Sequence, residues 1–102
     1  MTEVFQKIPP HSLEAEQSLL GSMMLSEDAV VVAQEQIVSE DFYQSAHRYI
    51  YTALCDLFSS GKPCDIVTLA EELKKIGSKI VNLKKKNKVG ICIVYEVDTP
   101  KL

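Results

Sequence analysis

The chain has 102 residues, 46% of them hydrophobic and 25% charged, with a formal net charge of −3. That length allows one domain with one modest hydrophobic core. A net negative charge excludes a global basic field that would draw the chain to nucleic acid.

The charge is uneven along the chain. Residues 1–76 hold 5 Lys+Arg against 12 Asp+Glu, a net −7, while residues 77–102 hold 6 lysines against 2 acids, a net +4. A reversal at Gly77 marks a change of module.

Residues 1–11 form an N-terminal arm in which Pro9 and Pro10 hold their predecessors extended. Ser12 reads as the N-cap of a first helix, with Glu14 and Glu16 where the helix dipole favours negative charge. Ala15, Leu19, Leu20, Met23 and Met24 make its apolar face. Gly21 lies inside that helix at a cost of about 1 kcal/mol against alanine, which close approach of a neighbour offsets. Ser26 caps a second helix with a stripe of Val30, Ala33 and Ile37, and Ser39-Glu40-Asp41 opens one short turn before Phe42 and Tyr43.

The clearest stripe is that of a third helix over about 46–59, made by Ala46, Ile50, Ala53, Leu54, Leu57 and Phe58. His47, Arg48, Tyr51 and Asp56 are expected on its other faces. Gly61 stops this helix in the left-handed C′ conformation. Asp65 caps a fourth, with stripe residues Ile66, Leu69, Ala70, Leu73 and Ile76, and Gly77 ends it. The remainder, 78–102, differs in kind: Lys84, Lys85, Lys86 and Lys88 cluster in what reads as a solvated linker, and Val89–Val97 reads as a strand. A lone strand needs a pairing partner or a helical surface to lie on. The expected fold is all-α, a small orthogonal bundle of about four helices over 12–77 with a divergent, strand-prone tail.

Few residues offer chemistry. Cys55, Cys64 and Cys92 are odd in number and form no CxxC pair, so they read as free, mostly buried thiols of a reducing compartment. His11 and His47 add no familiar zinc spacing, and no metal site is expected. Ser12, His11 and Glu14 are neighbours at a helix start, where capping explains the serine better than a catalytic triad. No GxxxxGK[ST] occurs, so the chain has no phosphate-binding loop of that type. No catalytic, cofactor-binding or metal residue is expected. Two clusters remain as contact candidates. Tyr43, His47, Arg48 and Tyr51 have the composition of a protein interface, and Lys84, Lys85, Lys86 and Lys88 are the candidates for nucleic acid. The N-terminus has no apolar signal region and no apolar run approaches 18 residues, so a cytoplasmic protein without membrane contact is expected.

Three phrases, PPHSLEAEQSLLGSMML at 9–25, DFY…HRYIY within 41–51 and GKPCDIVTLAEELKKIG at 61–77, together resemble the N-terminal domain of the bacterial replicative DNA helicases of the DnaB type. The resemblance covers about residues 8–77. It implies a non-catalytic helical domain whose six copies form a collar on a hexameric ring, supporting assembly and docking primase and the helicase loader. ATP and Mg belong, by the same resemblance, to a separate motor domain. The segment SKIVNLKKKNKVGICIVYEVDTPKL bears no likeness to the family's later helices or its long helical hairpin. A truncated family member with an aberrant tail is therefore expected. Without that hairpin, homo-oligomer formation is expected to be weakened. The alternative reading is a free-standing helical regulatory or DNA-binding protein that uses the basic segment 84–88, although direct DNA binding is not expected.

Overall fold

The computed structural model describes residues 12–98 apart from Val89, with backbone alone for residues 85–88 and 90–92. The N-terminal arm, His11 and the side chains of Lys85, Lys86, Lys88 and Cys92 lie outside the described residues.

Four helices form in the expected order: α1 (Leu13–Leu25), α2 (Glu27–Gln36), α3 (Ser45–Ser59) and α4 (Ile66–Lys75). A single 3₁₀ turn, Ser39–Asp41, separates α2 from α3. The starts of three helices are closed by side chains, since otherwise orphan backbone N–H groups would need water. Ser12 Oγ accepts from the Ala15 N–H at 3.1 Å, Ser26 Oγ from Asp28 at 3.2 Å, and Asp65 Oδ1 from Thr68 at 2.8 Å. In the 3₁₀ turn the acid caps from the far end, with the Val38 N–H donating to Asp41 Oδ2 at 2.9 Å.

The two predicted glycine stops share one geometry. After α3 the Gly61 N–H donates to the Phe58 carbonyl and the Lys62 N–H to that of Leu57. After α4 the Gly77 N–H donates to Lys74 and the Ser78 N–H to Leu73. This paired closure needs a left-handed residue at C′, and Gly61 and Gly77 sit at φ +73° and +82°.

The helices bury the expected stripes with small differences. Leu20, Met23, Val30, Ala33, Ala46, Ile50, Ala53, Leu54, Leu57, Leu69 and Leu73 are buried. Ile37 is the C-cap of α2 and only half-buried, and Ala15 is exposed. Gly21 is buried, and α1 packs against α2, α3 and a strand rather than against helices alone.

The tail corrects the sequence reading most. The lysine-rich stretch is a strand, β1 (Ile80–Lys88), paired antiparallel with β2 (Gly90–Val97). Lysines have no strand preference of their own, and pairing with a β-branched neighbour overrides that. The strand predicted from composition thus finds its partner within the chain. The hairpin lies on the helices, β1 against α4 and β2 against α1. Ile80 and Ile93 join the core, with Leu83 and Tyr95 packed at its margin.

The register runs Val81↔Glu96 and then Lys84↔Val94, so Asn82 and Leu83 together face Tyr95. This bulge places Asn82 at φ +53°, a conformation asparagine tolerates. The Asn82 amide Nδ2 also donates to Glu96 Oε1 at 2.7 Å. The extra residue rephases the strand, letting both Ile80 and Leu83 pack inward although they are three apart.

Replacing Gly61 or Gly77 by alanine should destabilise the chain by about 1–2 kcal/mol each. A Cβ at either position meets nothing within 4 Å, so the cost arises from backbone conformation alone. Urea unfolding followed by circular dichroism measures it.

Candidate functional site

The polar centre of the molecule is built on His47, which is fully buried. Its Nδ1 lies 2.6 Å from Glu16 Oε1 and its Nε2 lies 2.8 Å from the Tyr95 hydroxyl. An ionised carboxylate only accepts, so Nδ1 carries a proton. In the neutral ring Nε2 is then the acceptor, and the Tyr95 O–H donates to it. The contact joins α1, α3 and β2 through three side chains.

Glu16 has a second role. Its carboxylate accepts from the Tyr43 N–H at 2.8 Å and the Gln44 N–H at 3.4 Å. Gln44 is the N-cap of α3 and makes no side-chain capping bond. A negative charge from α1 therefore sits at the start of α3, where the helix dipole favours it. Burial raises the Glu16 pKa, but hydrogen bonds from His47, Tyr43 and Gln44 and the electrostatic attraction of the His47 N–H outweigh it, so the net shift is downward. Burial, followed by the nearby Glu16 charge, pushes the Tyr95 hydroxyl up.

A carboxylate, an imidazole and a hydroxyl in line have the geometry of a nucleophile relay. Two observations argue for a structural clasp instead. Tyr95 is held away from its phenolate form. Among the described residues, neither His47 nor Tyr95 lines any of the three best-formed surface hollows. The largest of these three, about 440 Å³ between the start of α3 and the base of the hairpin, is lined by no carboxylate, imidazole or thiol. Cys64 is no better as a nucleophile, because burial and then the Glu27 charge raise its thiol pKa. Among the described residues no group of three His, Cys, Asp or Glu side chains is placed to hold a metal ion.

The interface cluster expected from sequence is divided by the fold. Tyr43 is 57% exposed and Arg48 is exposed as well. His47 and Tyr51 are corrections: both are buried on the helix face that was expected to exclude them. Tyr51 donates its hydroxyl to the Ile37 carbonyl at 2.7 Å, and burial, with Cys55 beside it, pushes its pKa up to about 12. The spacing held a signal for both residues. His47, Ile50, Leu54 and Leu57 recur at helical intervals, as do Tyr51 and Leu54. Their polar atoms argued against burial because the partners lie far away in sequence. Glu16 was missed for the same reason. Of the basic cluster, Lys84 is exposed on β1, and the side chains of Lys85, Lys86 and Lys88 are outside the described residues.

The DnaB-like helicase N-terminal domain family matches residues 8–88. The chain belongs to this family. A solved relative, the N-terminal domain of DnaB helicase from Mycobacterium tuberculosis, superposes with a TM-score of 0.64 at 48% identity, over 68% of this chain and 48% of that one. The replicative DNA helicase DnaB of Mycobacterium leprae is 47% identical over 76 residues, which is 74% of this chain and 13% of that protein. The DnaB of Leifsonia xyli is 46% identical over 72 residues, 71% of this chain and 16% of the relative. The chain thus spans about one seventh of the length of these DnaB relatives. No helix among the described residues is long and apolar enough to cross a membrane.

Changing Tyr95 to phenylalanine should leave His47 Nε2 unpaired and cost about 1–3 kcal/mol. Faster hydrogen exchange in the β2 amides, with α4 unchanged, would show the loss at the clasp. Glu16 has a lowered native pKa, so its stabilisation is complete above its ordinary value of 4.5 and is lost as pH falls through the native value. The Glu16→Gln chain should lack this acid-side slope in urea melts run from pH 6 down to pH 3.

Proposed function

We propose that this chain is a non-catalytic contact module of a replicative helicase collar. It works by protein–protein contact, joining helicase subunits and offering a surface to primase or the helicase loader. The observation that carries this reading is the 45–47% identity to DnaB helicases over most of the chain, confined to 13–16% of their length. The buried polar centre supports it, because its histidine is committed to holding three elements together rather than to a substrate. Tyr43 and Arg48 are the exposed survivors of the expected contact cluster and are proposed as contact residues. ATP and Mg belong to the motor of the full-length relatives, since these 102 residues contain no GxxxxGK[ST] loop. The family setting favours a cytoplasmic location.

The reading predicts that the purified chain co-sediments with intact helicase from the same organism, with Kd at or below about 50 µM, roughly −6 kcal/mol. The absence of a complex at that concentration overturns it. The purified chain alone should hydrolyse no ATP above background. Salt-sensitive DNA binding lost on changing Lys84, Lys85, Lys86 and Lys88 to glutamine would favour the alternative nucleic-acid reading instead.

A further inference from the structure

The hollow of about 440 Å³ where α3 meets the hairpin serves no part of the clasp. Its floor is Ala46 and Ile80, both buried. Tyr49, 44% exposed, and Val97, 46% exposed, form its walls. Gln44 and Lys79 stand in the same lining, and Lys79 is the one charged residue of the described lining. Among the described residues, no hydrogen bond or ion pair engages the side chains of Gln44, Tyr49 or Lys79. Two acids come near without lining the hollow. Glu16 is committed to His47 and to the backbone at Gln44. Asp98 meets Lys79 through the backbone, its N–H donating to the Lys79 carbonyl at 2.7 Å. The hollow thus joins an apolar floor, an aromatic wall and an ammonium group with no carboxylate on it.

The classes of occupant differ in what they need. A small ligand buries most of its surface in its site, and walls half exposed to water do not enclose one. Nucleic acid binds through many phosphate contacts, and one lysine above an apolar floor offers a single contact. A protein segment needs only an apolar anchor and one charge-assisted contact, and it covers both walls as it docks. An anionic segment matches the local charge, because residues 77–98 hold five lysines against two acids.

We propose that this hollow takes an extended acidic segment of a partner protein. One apolar or aromatic side chain of the segment rests on Ala46 and Ile80, and an adjacent carboxylate pairs with Lys79 Nζ. The assignment rests on the reading of the chain as a contact module, and it names the surface and the partner chemistry. The probe is a fluorescein-labelled peptide with one phenylalanine between two glutamates in a glycine–serine frame. Its counterparts carry lysines in place of the glutamates, or alanine in place of the phenylalanine. Fluorescence anisotropy with the full chain should show the acidic phenylalanine peptide binding about tenfold or more tighter than either counterpart. Lys79→Glu, on an exposed position, should reverse the preference between acidic and basic peptides with an unchanged thermal melt. Equal binding of the acidic and basic peptides, or a preference that Lys79→Glu leaves unchanged, overturns the proposal. So does a dimer of this chain that Lys79→Glu dissolves, because the occupant is then a second copy. So does a Leu102→Ser chain that binds the acidic peptide about tenfold tighter, because residues 99–102 are then the occupant. If the peptides are not discriminated while the chain co-sediments with intact helicase, the hollow is wrong and the module reading stands. If they are discriminated and helicase does not co-sediment, the hollow stands and the module reading falls.

Discussion

A buried imidazole must find partners for both ring nitrogens, because an unpaired polar atom inside a core costs about 1–3 kcal/mol. His47 meets that demand with one side chain from α1 and one from β2. The arrangement of the remaining elements follows from this. Glu16 must face α3, which places its second set of acceptor sites at the α3 N-terminus. Tyr95 must reach inward from the hairpin, which places β2 along α1. Among the described residues no buried side-chain nitrogen or oxygen is left without a partner.

The bulge in β1 serves the same constraint. Two residues opposite Tyr95 bend the strand locally and increase its twist. The inward set of Ile80, Leu83, Ile93 and Tyr95 then covers the helices. The tail is thus a lid on the core as well as a charged appendage. The family match ends at residue 88, within the hairpin, and apolar burial with one polar anchor suffices to dock the tail.

Charge and shape divide the surface into two regions. Residues 12–46 hold seven acids and no lysine or arginine, and strand β1 carries four lysines in its sequence. An acidic surface with apolar anchors favours protein partners over nucleic acid. This agrees with a family in which the matched segment is a small part of a much longer helicase.

The helices were legible in the sequence because their signals are local. Ser12, Ser26 and Asp65 reach backbone groups two or three residues away, and Gly61 and Gly77 act within one turn. The apolar stripes recur with the helix period, and the three phrases carry the family. The site was not legible in this way. Glu16 and His47 are 31 residues apart, and His47 and Tyr95 are 48 apart. No periodicity connects such distances. Taken singly, the acid read as a charge favoured by its own helix start and the histidine as a candidate interface residue. Strand β1 was hidden for a related reason: a lysine-rich segment becomes a strand only when another strand supplies its hydrogen bonds. The sequence by itself determined the four helices, their ends and the family, because those depend on neighbours along the chain. The tertiary structure alone decided which polar residues are buried and where the tail lies, because burial depends on partners that only folding brings together.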